Sequence, residues 1–176
     1  MRLNFDPVKS KNIIRNYFIY GLIALILSLL QISILNLIEV KGITPDLLLI
    51  LVVWIALAEG QFVGIFFGFG IGLLFDFMTL DVIGTNALTK TIAAFLVGYF
   101  YKEGHVSERL GSFFFVLVTL VAAIVHNLIY YIFYIRLSDL NYLDFFIRYG
   151  LATSVYTGVF AIIAMLLNIP RKQINR

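Results

Sequence analysis

The sequence predicts an all-α polytopic membrane protein, and composition is the first observation behind this. Of its 176 residues, 61% are hydrophobic and only 13% are charged, and the mean hydropathy is +0.98. Soluble domains are usually about 45–50% apolar and about 25% charged. So few charges cannot cover a water-facing surface, which excludes an ordinary soluble enzyme and a disordered chain. The length also excludes two large domains, because about 150 residues per domain is usual.

Apolar segments are the second observation, and they are predicted to be about six membrane helices. They cover residues 17–38, 47–58, 62–77, 87–101, 110–134 and 145–169. The first, fifth and sixth are long enough to cross a bilayer, which takes about 20 helical residues. The other three are shorter: they are short spans inside the bundle, or the second and third form a re-entrant pair. Six spans are the favoured interpretation, with one domain over 17–169 and basic flanks at 1–16 and 170–176.

Loop charges are the third observation, and they predict the orientation. Alternating spans put both termini, the turn at 59–61 and the loop at 102–109 on one side of the membrane. That side carries nine of the 13 Lys and Arg residues. Because basic loops stay in the cytoplasm, both termini are predicted to be cytoplasmic. Tyrosines at the predicted helix ends fit the same frame, since their rings favour headgroup depth.

Small residues form one-faced stripes in two of the segments. The members, spaced four apart, are Gly64, Gly68 and Gly72 in the third segment and Gly150, Ser154 and Gly158 in the sixth. Small side chains let two helix backbones approach closely. Tight packing within the bundle is the favoured interpretation, and docking of a partner's membrane helix is the alternative.

Polar residues at the predicted outer helix ends form a second group. Asp46 follows Pro45, and an acid at a helix start complements the helix dipole. Asp76 ends a helix, where an acid is unfavourable, so it is predicted to need a partner, and Lys90 is the candidate. The favoured interpretation is a structural ion pair or a contact with lipid headgroups. The alternative is that Asp76, Asn86 and Lys90 order the connection between the third and fourth segments and present it to a partner protein.

His126 and Asn127 fall inside the fifth segment, where ionisable residues face the protein interior and are candidates for function. A proton relay would need further acids or histidines at membrane depth, and none is evident from the sequence. A neutral, hydrogen-bonded His126 is therefore predicted. Gln31 in the first segment is a further polar candidate for bonding between these helices.

Several chemistries find no support in the residues. There is no cysteine, and His105 and His126 have no ligand-spaced partner, so no metal or cofactor is predicted. No nucleophile–base set or paired carboxylates at membrane depth is recognisable, so no catalytic residues and no enzyme activity are predicted. The basic flanks suit anionic lipids rather than nucleic acid.

The stretch from Pro45 to Tyr99 resembles a known family. PDLLLILVVWIALAEG (45–60) and GIFFGFGIGLLFDFMTLDVIGTNALTKTIAAFLVGY (64–99) are similar to the core of the bacterial rod shape-determining protein MreD family. The shared features are a Pro-Asp-Leu start, a Gly-rich segment ending in Gly-Leu-Leu-x-Asp, and a Gly-x-Asn-Ala-Leu-like entry. The motifs cover about a third of the chain, and the other spans agree in length and hydropathy.

This resemblance implies a role in the elongation complex of rod-shaped bacteria, at the inner membrane. It implies association with MreC, a bitopic protein, and through it with a RodA-type glycosyltransferase, a class B penicillin-binding protein and MreB. It implies no enzymatic activity, and a fold like the substrate-binding component of energy-coupling-factor transporters. Two hypotheses follow: a non-catalytic scaffold for cell-wall synthesis, which is favoured, and a vitamin-type transporter component. The second would require a polar pocket near the outer face.

Overall fold

The computed structural model describes residues 7–33, 39, 42–79, 82–135 and 142–167. The described helices are α1 (Pro7–Ser33), α2 (Leu47–Glu59), α3 (Gln61–Thr79), α4 (Thr85–Gly98), α5 (Val106–Leu110), α6 (Phe113–Ile135), α7 (Tyr142–Phe145) and α8 (Leu151–Leu167). A π-helical segment, Phe146–Gly150, joins α7 to α8, so that Tyr142–Leu167 is one helical run. The prediction of an all-α polytopic membrane protein is confirmed.

Four of these helical stretches have the length and composition to cross a membrane: Ile14–Ser33, Gln61–Thr79, Phe113–Phe133 and Tyr142–Leu167. The sequence predicted three of them, and it underestimated the third segment, which forms a helix of 19 residues. Helix α1 begins at Pro7, inside the predicted basic flank. The predicted end of the first segment at 34–38 and the tail at 170–176 lie outside the described residues.

Helix α2 lies at the centre of the bundle, which is why it can be short. It contacts α1, α3, α4, α6 and α8, and Leu48, Val52 and Ile55 are completely buried. Its 13 residues span about 20 Å at 1.5 Å per residue, against a hydrocarbon core of about 30 Å. Because other helices cover it, neither end of α2 has to lie at a lipid surface.

The long helices turn large apolar side chains outward. Phe62 and Phe66 of α3 are 85% and 81% exposed, and Phe18 of α1 is 73% exposed. In water such a surface would drive aggregation, whereas in a bilayer it contacts acyl chains. The buried positions, by contrast, include several polar and charged residues, among them Asp46, Asp76 and Lys90.

The two ends of the bundle differ in construction. At the end predicted to be cytoplasmic, Gly60 joins α2 to α3 with a φ of +95°, which glycine adopts without strain. There Tyr20 donates a hydrogen bond to Glu59 Oε1 at 2.6 Å, and this bond ties α1 to the end of α2. At the same end, in the region between α4 and α6, a hydrogen bond with His105 holds the pKa of Glu108 below its usual range. The opposite end carries the polar residues described next.

Candidate functional site

Helix α2 begins at Asp46, inside the bundle. Asp46 Oδ1 accepts a hydrogen bond from the Leu49 amide at 2.9 Å, which caps the helix. Gln31 Oε1, from α1, accepts bonds from the Leu47 and Leu48 amides at 3.1 and 3.4 Å. The amides that would otherwise be unpaired at this helix start are thus satisfied by two side chains of the protein. The prediction that Asp46 opens a helix is confirmed.

Asp46 also forms a buried ion pair with Lys90 of α4. The distance from Lys90 Nζ to Asp46 Oδ2 is 2.8 Å, and the Lys90 side chain is completely buried. Lys90 Nζ donates a second bond to Asn86 Oδ1 at 2.9 Å, while the Asp46 amide donates to Thr157 Oγ1 of α8 at 3.0 Å. Buried charges need such partners, since an unpaired one costs several kcal/mol. This cluster joins α2, α4 and α8.

Asp76 has other partners than the sequence predicted. Its carboxylate accepts three backbone hydrogen bonds at the start of α4, from the amides of Gly84, Asn86 and Ala87 at 2.9, 3.1 and 3.2 Å. The predicted pairing of Asp76 with Lys90 is therefore wrong. The acid at the C-terminus of α3 is stabilised by the positive N-terminal end of the neighbouring antiparallel helix. It orders the α3–α4 connection through backbone groups.

His126 of α6 lies beside the ion pair. Its Nε2 atom is 3.4 Å from Asp46 Oδ2, and its ring stacks on Tyr130 with centroids 6.0 Å apart. The residue is only 3% exposed, and among the described residues its Nδ1 atom has no partner in hydrogen-bonding geometry. No sequence pattern predicted an acid near His126. Asp46 lies there because α2 starts deep in the bundle.

Asn127, the next residue, joins α6 to the helical run that ends in α8. Its Nδ2 atom donates to the Gly150 carbonyl at 3.2 Å and to Ser154 Oγ at 2.9 Å. Gly150 closes the π-helical segment, and its carbonyl also accepts a hydrogen bond from Ser154 Oγ at 2.7 Å. Gly158, one turn beyond Ser154, faces Leu120 of α6. The part of the sixth-segment stripe that lies on α8, Ser154 and Gly158, is thus directed at α6; we call it the α8 stripe.

The α3 stripe is covered by the same chain. A Cβ atom added at Gly64 would lie 2.6 Å from Ala56 Cβ, and one at Gly68 would lie 2.8 Å from the Lys90 carbonyl oxygen. At Gly72 it would lie 2.5 Å from Ala87 Cα. These distances are too short for any side chain, so the stripe is occupied by α2 and α4. A membrane helix of a partner protein would therefore have to pack on a different surface of the bundle.

The polar residues at this end surround one cavity of about 470 Å³, which we call the polar cavity. Its lining residues are Gln31, Ile32, Gly42, Thr44, Pro45, Asp46, Phe75, Met78, Thr79, Asn86, His126, Asn127, Tyr130, Tyr131 and Thr153. Five of the predicted polar residues therefore share a site: Gln31, Asp46, Asn86, His126 and Asn127. Asp76 and the glycine stripes do not line it. In the described parts of the chain, no group of three or more potential metal ligands was found.

A second feature lies between α1, α2 and α8, and we call it the apolar groove. It has a volume of about 430 Å³. Its lining residues are Tyr20, Ile23, Leu27, Leu47, Ile50, Leu51, Trp54, Phe160, Ile163, Ala164 and Leu167. Helix α2 forms the floor, and α1 and α8 form the walls. The sequence did not predict this groove, because its residues come from three segments with no pattern in common.

Comparisons with known proteins gave one match. A family model described as "MreD: rod shape-determining protein MreD" matches residues 12–169. No curated protein and no solved structure matches the chain. The matched range extends beyond the 45–99 stretch on which the sequence resemblance depended, and it includes every helix that lines the polar cavity and the apolar groove.

Proposed function

The chain belongs to the rod shape-determining protein MreD family, and from that premise we propose that it is a non-catalytic scaffold of the cell-wall elongation complex. It binds an MreC-like bitopic protein and, through it, supports a RodA-type glycosyltransferase, a class B penicillin-binding protein and MreB. It resides in the bacterial inner membrane with both termini in the cytoplasm. The family match over residues 12–169 carries this proposal.

The apolar groove is where we place the partner's membrane helix. The small-residue stripe of α3 is filled by α2 and α4, and the α8 stripe is directed at α6. The groove, by contrast, is lined almost entirely by apolar atoms. It runs between α1 and α8, so a helix inserted there would contact both of them. A single-span partner supplies one helix of matching chemistry.

Residue spacing in the groove suits helix packing. Ile23 and Leu27 are four residues apart on α1, and Ile163 and Leu167 are four apart on α8. Rows with this spacing form ridges, and a third helix packs its own ridge into the depression between them. Trp54 on the floor is partly buried, and it would gain contacts with an inserted helix.

Crosslinking tests this placement directly, because the chain has no natural cysteine. Ile23→Cys and Ile163→Cys would be co-expressed with an MreC-like protein that carries one cysteine at successive positions of its span. The matched control is Phe66→Cys, on the lipid-facing surface of α3. We expect disulfide-linked heterodimers from the groove variants and not from the control. Crosslinks of equal yield at Phe66 would remove the groove from the proposal.

The scaffold itself is tested by depletion and replacement. Cells depleted of this chain should lose rod shape, and the wild-type chain should restore it and co-purify with the MreC-like protein. Ile163→Trp, which fills the groove, should restore neither, whereas Phe66→Trp should restore both. Retention of rod shape on depletion would refute the scaffold function.

A transporter component is the second candidate, and one observation favours it. That hypothesis required a polar pocket at the predicted outer end, and the polar cavity lies there. Vitamin co-purifying in stoichiometric amount, together with normal shape after depletion, would favour transport over scaffolding. Loss of shape with partner co-purification would favour the scaffold.

A further inference from the structure

We infer that the polar cavity is a binding site for a neutral, hydroxyl-bearing group of sugar size, presented as a free solute or as the headgroup of a lipid. This inference is separate from the scaffold function and does not depend on it. Three observations carry it: the depth of the cavity, the balance of its charges, and the neutral amide and hydroxyl side chains of its lining.

The cavity reaches well into the bundle. His126 lies nine residues before the end of α6 at Ile135, which is about 13 Å along a helix at 1.5 Å per residue. Asp46 contacts His126 at that depth, so the start of α2 lies at the same level. Polar groups at membrane depth are costly and mark sites of function. Short helices that end inside a bundle are a known way to bring polar groups to such a level.

Charges inside the cavity are balanced, which selects a neutral ligand. Lys90 neutralises Asp46 at 2.8 Å and also bonds Asn86. The helix start does not offer its amides to an anion, since Asp46 and Gln31 already accept from them. An anionic ligand would face the Asp46 carboxylate, and a cationic one would compete with Lys90 for it.

The rest of the cavity lining is suited to bind the hydroxyl groups of a sugar ring. Neutral amide and hydroxyl side chains line the cavity, among them Gln31, Thr44 and Thr153. Such side chains both donate and accept hydrogen bonds, as the hydroxyl groups of a sugar do. Phe75 and Tyr130 add aromatic side chains to the lining. A volume of about 470 Å³ is within the range of small-molecule sites, about 300–1,000 Å³.

Binding should be measured on the full chain purified into lipid nanodiscs. The probes are monoglucosyl diacylglycerol, free methyl glucoside, diacylglycerol without a sugar, and phosphatidylglycerol as the anionic lipid. Native mass spectrometry would count bound lipid, and equilibrium dialysis of radiolabelled methyl glucoside would report the free sugar. Thr153→Trp fills the cavity from α8, and Val155→Trp is its control, since Val155 is exposed on the lipid-facing side.

We expect a glucosyl probe to bind the wild-type chain and the Val155→Trp variant equally. Its affinity should fall about tenfold or more, equivalent to 1.4 kcal/mol, in the Thr153→Trp variant. Binding of the glycolipid alone identifies a lipid headgroup as the source, and binding of methyl glucoside as well identifies a free sugar. The inference is overturned if neither glucosyl probe binds. Equal binding of diacylglycerol or phosphatidylglycerol would also overturn it, as would unchanged affinity in a Thr153→Trp protein that melts like wild type.

Discussion

The contact between α3 and α4 and the contact between α6 and α8 are built on similar sequence patterns but differ in kind. Each contains a stripe of small residues spaced four apart. On α3, Gly68 and Gly72 lie against the backbone of α4, where an added Cβ would be 2.8 and 2.5 Å from main-chain atoms. On α8, Gly158 faces only the end of the Leu120 side chain, 3.3 Å from an added Cβ. The first contact joins two backbones, and the second is mediated by side chains.

The polar side chains that hold these two helix pairs together also differ in kind. Asp76 fixes the start of α4 with a carboxylate that accepts three amide bonds. Asn127 fixes α8 with one amide group that donates to Gly150 and Ser154. Charged hydrogen bonds are about twice as strong as neutral ones. We therefore expect the contact between α3 and α4 to be the more stable of the two, whereas the contact between α6 and α8 adjoins a π-helical segment.

Removing the Asp76 carboxylate should have the largest effect. Asp76→Ala leaves three amides at the start of α4 unpaired, two of them in buried bonds, and each buried unsatisfied group costs about 1–3 kcal/mol. We expect a loss of about 3 kcal/mol or more in the free energy of unfolding, measured by denaturant titration in detergent. Asn127→Ala, its counterpart at α8, should cost about half as much. Equal losses would contradict the proposed difference between the two contacts.

A methyl group in the α3–α4 contact should have the next largest effect. The Cβ of Gly72→Ala would meet Ala87 Cα and the Asn86 carbonyl oxygen, both at 2.5 Å, and backbone cannot move aside as a side chain can. Overpacking of this kind costs about 1–3 kcal/mol, so the melting temperature should fall clearly. Gly70→Ala is the control on the same helix, because no atom lies within 4 Å of its added Cβ. A melting temperature for Gly72→Ala equal to that of Gly70→Ala would show that the helices are not this close.

The same change in the α6–α8 contact should have the smallest effect. Gly158→Ala brings a methyl group to 3.3 Å from Leu120 Cδ1, and a leucine side chain can rotate away. Alanine also favours a helix over glycine by about 1 kcal/mol. We expect a stability within about 1 kcal/mol of wild type, by the same denaturant titration. A loss as large as that of Gly72→Ala would mean that the two stripes are equivalent after all.

Local patterns predicted the parts of this molecule that depend on local physics. Hydropathy predicted the spans because about 20 apolar residues are needed whatever surrounds them. Pro45–Asp46 predicted the start of α2, since a helix cap is made by residues next to each other in sequence. A close helix contact was predicted for the same reason from Gly64, Gly68 and Gly72. Close approach of two helix backbones requires small residues on one face, and this spacing is visible in the sequence.

Contacts between distant segments were not predictable in this way. Lys90 and Asp46 are 44 positions apart, and Lys90 was assigned to Asp76, which is nearer in sequence and also acidic. Asp46 pairs with Lys90 because α2 starts deep in the bundle. No residue near Asp46 in the sequence indicates how deep in the bundle this helix begins. The polar cavity was missed for that reason, since it collects residues from α1, α3, α4, α6, α8 and the segment that leads into α2.

The buried pair of Lys90 and Asp46 also constrains how the protein is made. A single charged residue at the centre of a helix raises the cost of translocon insertion by about 2.5–3.5 kcal/mol, and α4 carries Lys90 in a helix of only 14 residues. Asp46 offsets that cost only when α2 is already beside α4. We therefore expect the two short helices, with α3 between them, to enter the bilayer together, and we expect mutations at either charge to lower the yield of membrane-inserted protein.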